Sequence, residues 1–549
     1  YIIISHATYL CNFTWKFVMI VRIFSRNCMK KIYGVLLVLE FTACFFAAGC
    51  TTTPATGIDG EKVLVVGEMW RVSSINPGDG HDGGTFVTEK AIVTETLVGA
   101  NDKFELTPNL AESWKQINDT CWEFKLREGV KFHNGDEMAA DDVKTSLDNI
   151  VRLSPSTAML MSYDYAEPVG RYSIRIHTTE LNPLVPGVLH CPDTAIVSTK
   201  SYDTNGNFVN PIGTGPMKVE SFDEQTGELV VVKNTEWWGG DPGFDKMIMR
   251  GYEIPSTRSM MIENGDVDFT TDPPYSEINR LDALPGIHVE KYNTPRIYKL
   301  DVNLAHETLA DLNVRKAISH AIDRTGIVDN VLYGVGTPAG GVFLPSMTWS
   351  NKSLSPYTYD PSLAKQYLAK AGWTDTNGDG YVDKGGKNLH IKICTYTERP
   401  GLPPMQEAVS ANLKAVGIEV EEISMENSAL SAAMADGNWD LYLSATNLVM
   451  VPDPEYVLKS WYTTTGTSNK AGYSNTNVDR LITEGHYISS LNERYDHFRE
   501  IEGIVYEELP TINIAYYGVA IVMKDTVTGY KFDPTAHDYR IDPFMSIST

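Results

Sequence analysis

The stretch HIKICTYTERPGLPPMQEAVSANLKAVGIEV, residues 390–420, constrains the fold more than any other part of the chain. From His390 to Thr395, Ile391 and Ile393 alternate with Lys392 and Cys394, the period of a strand. Met405, Val409, Leu413 and Val416 then recur at helical spacing, Gly417 stops the helix, and Ile418 and Val420 open a second strand. A strand-helix-strand unit dictates a parallel pair with a right-handed crossover. Ligands of open α/β sheets lie beyond the carboxyl ends of such strands. Tyr396 to Arg399 holds that position, and so does Ser444-Ala445-Thr446-Asn447 after the strand Asp440-Leu441-Tyr442-Leu443. An arginine there can grip a carboxylate through two hydrogen bonds. The alternative is a surface arginine paired with Glu398 or Glu407.

Elsewhere the two halves of the chain read differently. The first half carries short strands and turns, as in Val63–Val66, Trp122–Leu126 and Leu229–Val232. The second alternates helices with strands. Val314, Ala317, Ile318, Ala321 and Ile322 form one apolar helix face. Asp360 before Pro361 reads as an N-cap with proline in the first helical position, and Gly372 closes that helix. A chain of 549 residues exceeds one ordinary core, so two or more lobes are expected.

The N-terminal region points to export. MKKIYGVLLVLEFTACFFAAGC, Met29 to Cys50, joins lysines, an apolar run and small residues before a cysteine. Ala47-Ala48-Gly49-Cys50 resembles a lipobox, which places diacylglycerol on the cysteine, and Thr51–Gly57 suits the flexible tether that should follow. An uncleaved membrane anchor is the other reading. Residues 1–28 are expected to be an over-extended reading frame ahead of Met29, with Met19 as another start. No later run reaches about 18 uninterrupted apolar residues. Of seven cysteines only Cys121, Cys191 and Cys394 follow Cys50, too few and too scattered for a disulfide framework or a zinc site.

Charge and motifs exclude several classes. The formal charge is −24; residues 1–49 hold five basic side chains against Glu40, so the rest carries −28. Such a surface repels phosphate backbones, and no nucleic-acid partner is expected. There is no G-x-S-x-G elbow, no H-E-x-x-H helix and no Walker loop, and Thr337-Pro338 spoils the Gly334-Val-Gly336 start of a dinucleotide fingerprint. The chain is read as no enzyme and as holding no cofactor. Asp375-Thr-Asn-Gly-Asp-Gly-Tyr-Val-Asp383 imitates a calcium loop with Gly380 in sixth place. Its twelfth position is Gly386 where a bidentate Glu belongs, so Asx turns in a hairpin are preferred over calcium.

Several stretches share an order and spacing. They are Leu110-Ala-Glu-Ser-Trp114, Trp122 to Gly135 with Ala140-Asp-Asp-Val143, Pro211-Ile-Gly-Thr-Gly-Pro216, Asn234 with Trp238-Gly-Gly240, Gly265-Asp-Val-Asp268, and Asp311 to Ile318 with Ala321-Ile-Asp-Arg324. Locally, Gly213 and Gly215 suit a tight turn with unusual φ. Trp114, Trp122 and Trp238 suit core or lobe packing, and Asp323-Arg324 a helix-end ion pair. Together, over residues 61–549, the set resembles the large extracytoplasmic solute-binding proteins (family 5 type) of peptide and nickel ABC importers. The resemblance implies an α/β fold, a two-lobed periplasmic-binding-protein-like clamshell with an extra subdomain in the N-terminal lobe. Expected divisions are a signal segment and reading-frame extension over 1–49, the lipidated cysteine and tether over 50–60, an N-terminal lobe over 61–302 with the subdomain at roughly 95–208, a C-terminal lobe over 303–524, and a return to the N-terminal lobe over 525–549. It implies capture of a small ligand by hinge closure and delivery to an ABC permease and its ATPase. The protein would be an extracytoplasmic monomer held to the membrane by lipid alone. A secreted hydrolase or a surface receptor on the same scaffold is the alternative.

The resemblance also bears on the ligand, an oligopeptide or a nickel or other metal chelate. Peptide binders of the family hold the ligand's amino group with an aspartate; in Asn447-Leu-Val-Met-Val-Pro-Asp-Pro454 that place is filled by Met450, and Asp453 substitutes only if the loop runs differently. The elbow Tyr396-Thr-Glu-Arg-Pro-Gly-Leu-Pro403 resembles the R-P-x-L-P of metal-chelate binders, in which the arginine grips chelator carboxylates. The chelate is therefore slightly preferred, with nickel as part of the ligand. The implied ligand-binding residues are Arg399, Tyr396, Glu398, His81, Asn447 and Met450. Imidazole suits nickel, and the metal candidates are His81 on the Gly-rich loop Asn76–Gly84, then His190 and His537, each set against an ordinary hydrogen-bonded loop histidine.

Overall fold

The computed structural model describes residues 60–79 and 81–548; the signal segment, the tether and Cys50 lie outside them, as do the side chains of His81 and Asp82. The expected strand-helix-strand unit is present. His390–Tyr396 and Glu419–Met425 pair in parallel, with the helix Leu402–Ala415 between them in sequence. Met405, Val409 and Leu413 are fully buried, because helical spacing puts them on the face that covers the sheet. Asp360 caps its helix by accepting from the Leu363 N–H at 2.9 Å, and Gly372 takes φ +84° beyond its end. Leu312–Ala321 is the other expected helix, with Val314, Ala317, Ile318 and Ala321 all buried.

Among the described residues one mixed sheet of eleven strands organises the fold. Its order runs Glu419–Met425, His390–Tyr396, Leu441–Asn447, Ile287–Val302, Thr511–Lys524, Phe269–Thr271, Val63–Glu68, Lys246–Gly251, Glu228–Lys233, Met217–Asp223, with Gly336–Pro338 added on Thr511–Lys524. The two halves of the sheet join only through the long antiparallel pair Ile287–Val302 and Thr511–Lys524. Ile287–Asn293 pairs with Gly518–Lys524, the register then shifts, and Ile297–Asp301 pairs with Thr511–Tyr516. At the shift Gly336 holds φ +104°, and a Cβ there would stand 2.4 Å from the Tyr516 carbonyl oxygen. Only glycine fits where these backbones approach. The expected cuts at 302 and 524 fall at the ends of these two strands, each of which pairs in both halves.

Separate cores lie on either side. Ile318, Leu368, Ile393, Leu413 and Leu443 belong to the cluster of the C-terminal half. Leu64, Val66, Leu229, Met247 and Ile521 belong to that of the N-terminal half. A four-stranded antiparallel sheet, Ala111–Asn118, Cys121–Leu126, Ser173–Thr178 and Tyr163–Gly170, carries the helix Ala140–Leu153 and its own core. Trp114, Trp122 and Trp238 pack half-buried against that core, as their sequence context suggests.

Two local expectations are corrected. Gly213 and Gly215 do not adopt positive φ. They are needed for close approach: a Cβ at Gly213 would stand 2.1 Å from the Val93 carbonyl oxygen, and one at Gly215 2.4 Å from that of Ile92. Asp323 and Arg324 form no ion pair with each other. Asp323 instead caps Gly326, and the buried Arg324 donates to the Asn513 and Ser319 carbonyls at 2.7 and 2.8 Å, tying its helix to the long strand. The glycine packing is testable: Gly213→Ala should destabilise the folded chain by about 1–3 kcal/mol through overpacking, read as a lower urea midpoint at unchanged slope.

Candidate functional site

The carboxyl ends of the parallel strands His390–Tyr396 and Leu441–Asn447 open on a cavity of about 460 Å³. Its walls include Tyr396, Glu398 and Arg399 after the first strand and Ser444, Ala445 and Thr446 at the end of the second. Arg296 reaches it from the neighbouring long strand, where it pairs with Asn447. Trp70, 38% exposed, enters from the other half, just past the end of Val63–Glu68. The cavity therefore lies between the halves, where the switch in strand order puts it.

Arg399 is no surface arginine. It is 6% exposed and pairs with neither Glu398 nor Glu407. Its Nη1 donates to the Tyr517 hydroxyl at 3.1 Å and stands 3.5 Å from Asp538 Oδ1, with the guanidinium over the Tyr517 ring. Tyr517 in turn donates to Asp272 Oδ2 at 2.6 Å, and the Ala520 N–H donates to Asp272 Oδ1 at 3.1 Å. Arg296 Nε donates to the same Asp538 oxygen at 2.8 Å. The chain thus assembles a buried relay, Asp272, Tyr517, Arg399, Asp538 and Arg296. Burial works against the charge on Arg399, but Asp538 with Tyr517 and Tyr396 outweighs it and holds the guanidinium more firmly protonated than usual. Burial would also raise Asp538, yet Arg296 and Arg399 hold its carboxyl well below the usual carboxylate range. Asp272, by contrast, is pushed up by burial.

The other expected residues lie as follows. Glu398 accepts from the Asn427 N–H at 2.8 Å through Oε1, while its Oε2 is buried without a partner. Asn447 stands outside the cavity lining; its Nδ2 is 2.8 Å from His537 Nδ1, and Arg296 Nη2 meets the other ring nitrogen of His537. Met450 is also outside the lining, its sulfur accepting from the Tyr456 hydroxyl at 3.4 Å. Asp453 is committed elsewhere. It caps the Glu455 N–H at 2.8 Å and receives Arg494 through both oxygens, at 2.9 and 3.2 Å. His190 lines a different cavity of about 450 Å³ in the N-terminal half, where burial and then Arg540 push its pKa down to about 4. Among the described residues no three His, Cys, Asp or Glu side chains gather as a metal site. The oxygens of Asp375 accept from Gly378 and Gly380, turn bonds of the kind expected for that loop. Cys121, Cys191 and Cys394 are buried and unpaired.

Contacts across the cleft hold the halves together. Phe104, at φ +66° and 1% exposed, inserts from the subdomain beside Phe343 and Trp349 of the C-terminal half. Thr348 donates to the Lys103 carbonyl at 3.2 Å. Val451 joins the core of the subdomain, facing Gly187.

The profile of the bacterial extracellular solute-binding proteins, family 5 (middle), matches residues 105–469. The chain belongs to this family. It is 27% identical to the nickel-binding protein NikA of Staphylococcus aureus, covering 90% of this chain and 95% of that one, and 26% identical to the oligopeptide-binding protein AppA of Bacillus subtilis, covering 93% and 98%. Among solved structures, NikA from Brucella suis in complex with Fe(III)-EDTA superposes with a TM-score of 0.81 at 26% identity, and the nickel ABC transporter protein from Bacillus halodurans with 0.76 at 28%. Each covers 89% of this chain and 100% of its own. This family 5 protein is accordingly a two-lobed α/β solute-binding component of an ABC importer, works outside the cytoplasm, and is not an enzyme. Family and relatives agree with the sequence resemblance on fold and on class of function. Closure around a ligand is the work such an interlobe cavity performs.

One cleft contact involves a titratable ring. His486, in the C-terminal half, has Nδ1 at 2.8 Å from Glu455 Oε1 and Nε2 at 2.8 Å from the Leu181 carbonyl of the subdomain. Both neighbours are acceptors, so the ring fits as an imidazolium donating twice. Its hydrogen bond to Glu455 raises its pKa above the ordinary 6.5, against burial. Arg494 and Lys459 also face Glu455. The contribution is full below about 6.5 and is lost as pH rises through the raised value. Melting temperature should therefore fall over that interval in the wild type and fall less in His486→Gln; parallel curves for the two proteins would contradict this.

Proposed function

We propose that this solute-binding protein captures a carboxylate-bearing metal chelate, nickel foremost, rather than a peptide. It then passes the chelate to an ABC permease driven by an ATPase. The observation that carries the reading is the charge inventory of the cleft. Two guanidiniums, Arg399 and Arg296, face the cavity and suit carboxylates. The place of the family's ammonium-binding aspartate is taken by Met450, and Asp453 is spent on a helix cap and on Arg494. A ligand ammonium left there without a partner would be costly to bury. Similarity to nickel-binding relatives, and to a Brucella NikA bound to an EDTA chelate, supports the same choice.

In this reading Arg399 and Arg296 bind the chelator and Tyr396 supplies an apolar wall, while Glu398 stays bonded to the Asn427 N–H. His81 is the imidazole we put first for an open position on the metal. The mature chain is tethered through lipid on Cys50 and acts as a monomer.

Native mass spectrometry of freshly purified protein should reveal a bound mass carrying a metal isotope pattern; a series of peptide masses would overturn the chelate reading. Arg399→Lys keeps the charge but loses the fork, and should weaken calorimetric binding of nickel–EDTA. Arg399→Ala should cost about 1.5–3 kcal/mol, the range of a charge-assisted hydrogen bond. Because Arg399 also anchors Asp538, the alanine variant should melt lower as well, so Lys is the cleaner test. Unchanged affinity in both would remove Arg399 from the site.

A further inference from the structure

We infer that Asp538 is a specificity-determining residue, and that it sets how much negative charge on the ligand the buried end of the cleft accepts. The inference rests on the proposal that the ligand is bound through Arg399 and Arg296. Asp538 is not itself in the cavity lining. It sits on the C-terminal segment, which is held to the N-terminal half by two bonds to Glu89, from the His537 and Ile541 N–H groups, each at 3.0 Å. From there its Oδ1 spans to Arg296 and, across the cleft, to Arg399.

Both arginines are nearly fully buried and both line the cavity. Asp538 thus occupies the position of a ligand carboxylate and offsets one of two guanidinium charges. Its contact with Arg399 is the longer, 3.5 Å against 2.8 Å for Arg296, so Arg399 keeps more capacity for a guest. Asp272 and Lys90 are further buried charges that act on this group, each with a buried partner of opposite sign, Arg258 for Asp272 and Glu68 for Lys90, while the other charges of the lining lie toward the mouth. Glu426 and Lys470 are exposed and of opposite sign, and Glu398 is partly satisfied by the Asn427 N–H. Exposed charges are screened and buried ones are not. Within the buried set Asp538 is the carboxylate in direct contact with both lining guanidiniums. Removing its charge leaves the inner end one unit more positive. A multiply charged chelate is penalised and a neutral or singly charged one is favoured.

The test compares two probes, neutral Ni(L-His)₂ and dianionic nickel–EDTA, by calorimetry on the mature chain. Taking the ratio of their affinities within each variant cancels any loss of folded protein. Asp538→Asn should move the ratio toward nickel–EDTA by about tenfold, and Arg296→Gln should move it the other way by about the same factor. Asp538→Glu keeps the negative charge and should leave it within about twofold. A purely structural role for Asp538 would shift the two variants in the same direction or leave both ratios unchanged, and either result overturns the inference. If the wild type binds neither chelate, the chelate reading fails by itself. The tripeptides Ala-Ala-Ala and Ala-Ala-Glu, which differ by one carboxylate, then read the same ratio. A wild type that binds none of the four overturns both.

Discussion

The paired strands Ile287–Val302 and Thr511–Lys524 are the constraint on which the rest of this structure depends. Among the described residues they are the only strands that join the two halves of the sheet, so the backbone ladder passes from one half to the other through them. Their ladder breaks where Asn293 gives way to Ile297, and the break is packed by Gly336 against the Tyr516 carbonyl. A continuous ladder would make one stiff sheet. A shifted register with a glycine contact interrupts that ladder between the halves, as bulges do where strands bend.

The relay at the cleft is built on that bend. Tyr517 lies on one long strand and Arg296 on the other, both within the break, while Asp272 and Asp538 approach from the N-terminal half and Arg399 from the C-terminal half. Buried charges persist only when paired and hydrogen-bonded. Here each charge finds its partner in a different segment, so the relay is complete only when the halves are correctly apposed. The same apposition sets Phe104 against Trp349 and His486 against the Leu181 carbonyl. The cavity lining and the contacts between the halves consequently share residues, Arg296 and Arg399.

What was legible beforehand follows the range of each interaction. The parallel pair at His390–Tyr396 and the cap at Asp360 depend on residues a few positions apart, and local period and side-chain type specify them. Arg399 was legible as a residue lining the crevice because a strand end in such a unit must face it, and the solute-binding family was legible from ordered motifs spread over the chain. Gly213 and Gly215 were legible as glycines with a purpose, but the purpose was misread. A sequence shows that a glycine is present, not which backbone approaches it, and here that backbone is Ile92-Val93, more than a hundred residues away.

The amino-acid sequence by itself determined an acidic, multi-lobed α/β chain of the solute-binding class with an arginine at the mouth of a strand-helix-strand unit. Tertiary structure alone decided what that arginine touches. Asp538 lies 139 positions from Arg399 and Tyr517 lies 118. Neither stands out from its own neighbours, since Asp538 reads as one acidic residue among many. Tertiary structure also took Asp453 out of contention, because Arg494, 41 positions on, claims both its oxygens. The physical reason is common to all three: periodicity and capping act through bonds along one segment, whereas the charge of a buried site is a sum over side chains that only folding brings within a few ångströms of one another.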